Sequence, residues 1–388
     1  MFNDTESLFD LKKYNYLRKT IPFLVLWLIF AGWGGVGHRI INPNSVNSFP
    51  QSFRQFNIWK DSLANRASDA DKRISSSNPT EASKHYIDYE EFDDFLSNGS
   101  VVQDYDSAVA KYGLFAINDA GSLPWTIIQC YDTLVKAFQE KDWHHAVLLS
   151  SDIGHYIGDA NMPLHLTTNY NGQLTGQTGI HSRYESKMLD RYSSSLLIQQ
   201  NEAVFLTNVQ DFIFTMTYQN YKYVDSVLRA DSISVAIAKS NSSDLYYSTL
   251  WNLTKGYTGR FMSRASEVIA AVMFTAWVNA GSPPLTPTFV EEVKNSAFGF
   301  SLEQNYPNPF NPSTVISWQL AVGAHVTLKV YDVLGNEVAS LVDEDKVPGS
   351  YEVEFQSTMG NNQLAGGVYL YRLSTGSFTQ TKKLLLMK

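Results

Sequence analysis

The period of the hydrophobic pattern changes once along this chain, and that change governs what it can fold into. Up to about residue 280, apolar residues recur every three or four positions. Both YDTLVKAFQEKDWHHAVLLSSDIGHYIGD (131–159) and RFMSRASEVIAAVMFTAWVNA (260–280) follow this spacing, which is that of amphipathic helices. GSPPLTPT (281–288) then sets three prolines and a glycine in a short stretch, where no helix continues. Beyond it VISWQL, HVTLKVYDV, YEVEFQS and GVYLYRLS alternate in apolar character between Gly, Asn, Pro and Ser clusters, a pattern of short antiparallel strands. The expected architecture is an all-α domain over 33–281, a linker over 282–300, and a small all-β sandwich over 301–388. No internal repeat is visible.

The N-terminal stretch LRKTIPFLVLWLIFAG (17–32) is a basic start followed by an apolar run. At about 10 to 12 residues the run has the length of a signal-peptide core and is short for a membrane span. Residues 1–32 are therefore expected to be a leader and signal peptide. Asp4, Glu6 and Asp10 ahead of it are unusual for a signal. They leave two readings open, a true start near Leu17 or an uncleaved N-terminal anchor.

The net charge of −8 and the pI near 5.5 argue against stable binding of duplex nucleic acid, which needs a broad basic surface. Cys130 is the sole cysteine, so neither an intrachain disulfide framework nor a cysteine zinc site is available. Any metal must be held by histidine and carboxylate.

Those residues are grouped. In HYIGDANMPLH (155–165), His155 and Asp159 are four apart, on one helix face, where both can reach one ion. Pro163 should end or turn that helix and let His165 return toward the same place. HSRYE repeats the four-residue step with His181 and Glu185. Upstream, DADKR supplies Asp71, KHYIDYE supplies His85 and Asp88, and WGGVGH supplies His38. Asp69 is an alternative to Asp71, two residues away. Tyr86 either lines a substrate cleft or packs, and Asp152 is either an outer support or a solvated residue. Arg183 either contacts phosphate or is a solvated helix residue. His144 and His145 read as structural, and His325 falls in the β-domain.

The order Trp-x4-His, Asp, His-Tyr-Ile-Asp, His-x3-Asp-x5-His, His-x3-Glu resembles the zinc-dependent phospholipase C family and the related fungal-type single-strand-specific nucleases, over roughly residues 33–280. The resemblance implies a helical protein with three zinc ions in one cleft. It assigns one zinc to Asp71, His85, His155 and Asp159, and a second to His165, His181 and Glu185. The third would take the main-chain amino group and carbonyl of Trp33, together with His38 and Asp159, which bridges two metals. Trp33 offers a free amine only after cleavage before it. The implied reaction is phosphate-ester hydrolysis by a zinc-bound hydroxide, with Asp71 as base or water-orienting group. Asp88 orients a ligand or the attacking water, or is a loop carboxylate.

The sixteen-residue step from His165 to His181 and the Glu at 185 resemble the phospholipase branch. The five-residue step from Trp33 to His38 resembles the nuclease branch. Gly34, Gly35 and Val36 offer no acidic residue for a choline headgroup. The expected function is a phospholipase C-like phosphodiesterase acting on phospholipid. The alternatives are a nuclease acting on single-stranded nucleic acid, and a non-catalytic surface protein with structural zinc.

SLEQNYPNPFNPSTVISWQL, LKVYDVLGNEV, GSYEVEF, GGVYLYRL and the terminal TKKLLLMK resemble the type IX secretion sorting domain of Bacteroidetes and their relatives. That resemblance implies export through the periplasm and delivery by the type IX secretion machinery to the cell surface or medium.

Overall fold

The structure, a computed structural model, describes residues 34–74, 80–285, 300–320, 324–347, 349–359, 362–375 and 378–387. The expected leader, Trp33 and residues 286–299 of the expected linker lie outside the described residues. The chain divides into two units, Met1–Thr286 and Pro287–Lys388.

Seven helices of the first unit organise it: α1 (Gly34–Asn44), α2 (Lys60–Asn65), α3 (Leu123–Glu140), α4 (Trp143–Ala160), α5 (Val209–Tyr221), α6 (Val224–Ala238) and α7 (Asp244–Asn279). Their ends follow from sequence. The carboxylate of Asp142 caps α4 by accepting from His145 N at 3.0 Å, and Ser243 caps α7 by accepting from Tyr246 N. Between α1 and α2 the chain forms an unusually long 3-10 segment, Gln51–Trp59. Phe53, Phe56 and Trp59 fall at its three-residue period and are fully buried, so one continuous apolar edge holds it. These rings pack with Phe138, Trp143 and Trp277 at centroid separations of 5.4 to 6.4 Å.

Helix α4 carries the site. Its first half buries one stripe, but from Ile153 to Ala160 every residue is buried, so its polar side chains there have no water to turn to. Two glycines make this possible. A Cβ on Gly154 would lie 2.8 Å from the Asn42 side chain, and one on Gly158 would lie 2.8 Å from His38 Nδ1. Their bare backbone lets α1 lie against α4 and brings the His38 ring onto the His155 ring, stacked at 3.9 Å. The helix ends at Ala160, and Pro163 opens a 3-10 turn, Pro163–Leu166, that carries His165.

The second unit has a three-stranded sheet in the order β1 (Phe300–Leu302), β2 (Ser313–Leu320), β5 (Gly349–Gln356). A four-stranded antiparallel sheet runs β4 (Glu337–Lys346), β3 (Ala324–Tyr331), β8 (Gly367–Thr375), β9 (Phe378–Leu386). Strands β6 (Thr358–Met359) and β7 (Asn362–Gln363) form a short hairpin. Alternate residues Ile316, Trp318, Leu320, Val326, Leu328, Val330, Tyr371 and Leu373 share one core, as the two-residue period of a strand requires. The Asn- and Pro-rich opening ties down the last strand. Leu385 N donates to Asn308 Oδ1 at 2.8 Å, Phe310 N to Leu385 O at 2.9 Å, and Met387 N to Phe310 O at 2.9 Å.

Gly158→Ala should lower stability by about 1–2 kcal/mol, because overpacking of about 1–3 kcal/mol exceeds the helix-propensity gain of up to about 1 kcal/mol. Gly256→Ala is the control, since it sits exposed in α7 with only Arg260 Nη1 near, at 3.9 Å. It should be neutral or stabilising. Denaturant unfolding of both variants checks the sign. Equal effects would show that helix propensity, not the α1–α4 contact, decides.

Candidate metal centre

Four donor atoms converge at the C-terminal end of α4. His85 Nδ1 lies 3.0 Å from Asp159 Oδ2, 3.1 Å from His155 Nε2 and 3.7 Å from Asp71 Oδ1. His155 Nε2 lies 3.3 Å from Asp159 Oδ2 and 3.4 Å from Asp71 Oδ1. A tetrahedral ion with bonds of about 2.0–2.1 Å needs its donors about 3.3 to 3.4 Å apart, and these separations scatter around that value. A second group has His165 Nε2 and His181 Nε2 at 3.4 and 3.1 Å from Glu185 Oε2. His38 Nε2 faces the other oxygen of Asp159, Oδ1, at 3.3 Å. His38, Asp71 and His155 also bring donor atoms within 4.8 Å of one another.

The rings are aimed by the main chain. His155 Nδ1 faces Ala67 O at 2.8 Å, His165 Nδ1 faces His85 O at 2.6 Å, and His181 Nδ1 faces Tyr170 O at 3.3 Å. A carbonyl can only accept, so Nδ1 carries a proton in each ring, which leaves Nε2 as the nitrogen turned toward the group and the one that would meet a metal. His38 Nε2, Asp71 Oδ1, Asp159 Oδ1, His165 Nε2 and Glu185 Oε2 are buried and make no hydrogen bond among the described residues. Such orphans are rare in a native interior, and a cation would satisfy all five. The donor set suits one: imidazole and carboxylate without thiolate.

Electrostatics divide the cluster. Burial would raise Asp159, but the charges of His155 and His165 and its close contacts with His155 and His38 hold it well below the ordinary range. Burial would lower His155, yet Asp159 and Asp71 drive it well above. His38 is kept low by burial and by the nearby charge of His155, and so stays in the neutral form that binds metals. Asp71, opposed by burial, is lowered by its close approach to His155 and the charge there. Its side chain keeps 17% exposure where Asp159 has none, so it is the carboxylate of the first group that solvent can reach. Glu185 is pushed up to about 8 by burial, against the pull of His165.

The structure therefore brings together Asp71, His85, His155 and Asp159, then His165, His181 and Glu185, with His38 against Asp159. Trp33 lies outside the described residues. Asp88 stands apart: its carboxyl makes no hydrogen bond or ion pair with these atoms among the described residues. Burial and the neighbouring Glu90, Glu91 and Asp119 hold it well above the carboxylate range. Asp69 pairs with Lys72 and Arg66 at 2.8 and 3.4 Å, which leaves Asp71 as the inward carboxylate. Arg183 is not solvated: its guanidinium is buried and engaged by Asp231, Nη2 to Oδ1 at 3.0 Å. Asp152 bonds Arg73 Nη1 at 3.0 Å.

The supports behind these donors carry no sequence signature. Arg73 also meets Glu81 at 3.2 Å and Tyr156 at 3.3 Å, and Tyr156 donates to Glu81 at 2.7 Å. With Lys84 2.7 Å away as well, Glu81 drops to about 2, overcoming burial. Glu90, fully buried, accepts from Thr167 Oγ1 at 2.6 Å, Thr168 N at 3.1 Å and Tyr221 at 2.8 Å, holding the segment that follows His165.

Residues 304–387 match the family described as a secretion system C-terminal sorting domain. This domain directs the chain out through type IX secretion, to the cell surface or the extracellular space. A comparison with curated proteins finds no match. Among solved structures the chain is similar to alpha toxin from Clostridium absonum, at 11% identity and a TM-score of 0.41, over 92% of this chain and 95% of that one. It is similar to Clostridium perfringens alpha-toxin from avian strain SWCP at 11% identity and a TM-score of 0.41, over 91% and 90%. Likenesses this distant establish neither family nor activity.

In metal-stripped protein Glu185 takes up a proton on folding between its ordinary value of 4.5 and about 8. The native state then binds more protons than the unfolded one, so this group's contribution falls as pH rises through that window, by up to roughly 1.4 kcal/mol per unit. Glu185→Gln cannot ionise and should flatten that part of the slope. Urea unfolding of both proteins at pH 5, 6, 7 and 8 measures it, and parallel curves would contradict a protonated Glu185.

Proposed function

We propose that this chain is a secreted zinc-dependent phosphodiesterase, phospholipase C-like in its substrate. Residues 1–32 are its leader and signal peptide, 33–281 its catalytic part, 282–300 a linker, and 301–388 its sorting domain. The observation that carries the reading is the convergence of Asp71, His85, His155 and Asp159 beside His165, His181 and Glu185, with ring nitrogens oriented by main-chain carbonyls. The first group holds one zinc and the second another. His38 and Asp159 Oδ1, with the amino terminus freed at Trp33, hold a third.

Bound zinc ions acidify water to yield a nucleophile near neutral pH and neutralise charge on phosphoryl oxygens. The chain's own residues do the rest. Asp159, wholly buried and ionised, supplies the fixed negative charge around which the cations gather. Asp71, reachable by solvent, accepts a hydrogen bond from the attacking water and sets its line of approach. The second group offers three protein donors, the count of a catalytic zinc site that keeps one position for substrate or water. That count favours an enzyme over a protein with structural zinc.

Purified mature protein should contain more than two zinc ions per chain and hydrolyse bis-nitrophenyl phosphate. Activity should vanish with chelator and return with zinc. Asp159→Asn should reduce both zinc content and rate more than loss of any single histidine, and full content and rate in that variant would overturn the shared role. Phosphatidylcholine, phosphatidylethanolamine, single-stranded DNA and RNA offered side by side decide the substrate. Turnover of the lipids supports the phospholipase reading, and turnover of only the nucleic acids replaces it with the nuclease.

Deleting 301–388 should strand the protein in the periplasm, while the purified fragment 33–290 retains zinc and full hydrolysis. Fractionation and assay of the truncated chain test both halves. Arrival of the truncated chain in the medium would contradict the first. Loss of catalysis by a folded, zinc-loaded fragment would contradict the second.

A further inference from the structure

Arg183 lies midway between two donors of the second group, His181 and Glu185, and uses its guanidinium in another direction. At about 100° per residue, a step of two residues turns roughly 200° around a helix, so residue 183 points away from the face that 181 and 185 share. What lies behind that face is a buried clasp. Arg183 Nη2 and Nε donate to Asp231 Oδ1 at 3.0 and 3.3 Å, Nε also to Tyr246 Oη at 2.9 Å, Nη1 to Thr178 O at 2.9 Å and Nη2 to Gln177 O at 3.1 Å. Asp231 Oδ1 also accepts from the Tyr246 hydroxyl, and Oδ2 accepts from Gln177 Nε2 at 2.9 Å. The Asp231 side chain is 1% exposed and that of Arg183 7%.

Two further features show that the segment is held against its own preference. The backbone leaves regular α geometry at this point, with Arg183–Lys187 forming a π turn, a local widening that needs tertiary support and often accompanies function. Gly179 sits at φ 93°, and a Cβ there would lie 2.8 Å from Arg183 Nη1. The chain makes room for the guanidinium as well as bonding it. An apolar pair of similar size would stabilise the interior as well or better, whereas a planar fork with several fixed acceptors sets an orientation.

We propose that the Arg183–Asp231–Tyr246 clasp is the positioning device of the second donor group: by fixing the roll of the 180–187 segment about its axis, it sets how tightly His165, His181 and Glu185 retain their metal, independently of the first group. This rests on the zinc reading of the two donor groups. The clasp touches no donor atom and acts through the rotation of the segment that bears two of them. Asp231 on α6 and Tyr246 on α7 are the fixed points.

The test uses the full secreted chain loaded with zinc, and separately with cobalt, whose visible absorption reports each site. Glu185→Gln identifies which cobalt band and which zinc equivalent belong to the second group. In Asp231→Asn that equivalent should be lost at chelator concentrations about 10–100-fold lower than in the wild type, the usual scale for an outer support. The first group's band and retention should be unchanged. Tyr246→Phe, which keeps the ion pair and removes one acceptor of Arg183, should show a smaller shift in the same band, and covers the case in which Asp231→Asn fails to fold. Equal weakening of both groups would reduce the clasp to general stability and overturn the proposal, as would an unchanged second group. Both results leave the zinc reading standing. A wild-type chain that binds no metal at all would instead overturn the zinc reading and the clasp's role together.

Discussion

The carboxylate of Asp159 is the charge on which the helical unit depends. It has no exposed surface, and an isolated ion in that position would be prohibitively costly. The chain answers by surrounding it. Oδ2 has His85 at 3.0 Å and His155 at 3.3 Å, and Oδ1 has His38 at 3.3 Å and His165 Nδ1 at 4.0 Å. His155 comes from Asp159's own helix, but His38, His85 and His165 come from other stretches of chain, each of which must be delivered to one point. Gly154 and Gly158 admit α1 with His38, the break at Pro163 returns His165, and Ala67 O fixes the ring of His155. Site and core are one construction here, since α4 is buried all round where it carries His155 and Asp159.

Five of the candidate donors were legible because their spacing is local, whereas His38, Asp71 and His85 joined them only through the family resemblance. His155 with Asp159, and His181 with Glu185, declare a shared face by a four-residue step, and the proline between Asp159 and His165 announces the return. Asp152 apart, read as an outer support or a solvated residue, the supports were not legible, because their partners are far apart in the chain. Arg73 meets Asp152 and Tyr156, Arg183 meets Asp231, and Glu90 meets Thr167 and Tyr221. Read alone, each of these charged residues looks like part of a solvated surface, and only the fold turns it inward. The reading of Arg183 as a solvated residue failed for that reason.

The β-unit shows the same division between local and nonlocal information. Four strands announced themselves by alternation: β2, β3, β5 and β8. Strands β4 and β9 did not, and both are the outer strands of the four-stranded sheet. Edge strands carry charge that discourages pairing with another chain. Glu337, Asp343, Glu344, Asp345 and Lys346 on β4, and Lys382 and Lys383 on β9, obscure the two-residue period. In β5, also an outer strand, Glu352 and Glu354 fall at alternate positions and leave the period visible, so it is the clustering of the charges that hides the signal in β4 and β9.

The two donor groups are joined by more than proximity. His165 donates from Nδ1 to His85 O at 2.6 Å, and Ile87 N donates back to His165 O at 2.8 Å. A residue of the first group thus fixes the ring tautomer of a residue in the second, and the second holds the main chain just past the first. Displacing His85 would turn His165, and the strain would reach Glu90 through Thr167 and Thr168. The roll of the 180–187 segment is the one element of the second group not set by this exchange. It is held instead from α6 and α7, so the second group answers to two constraints where the first answers to one.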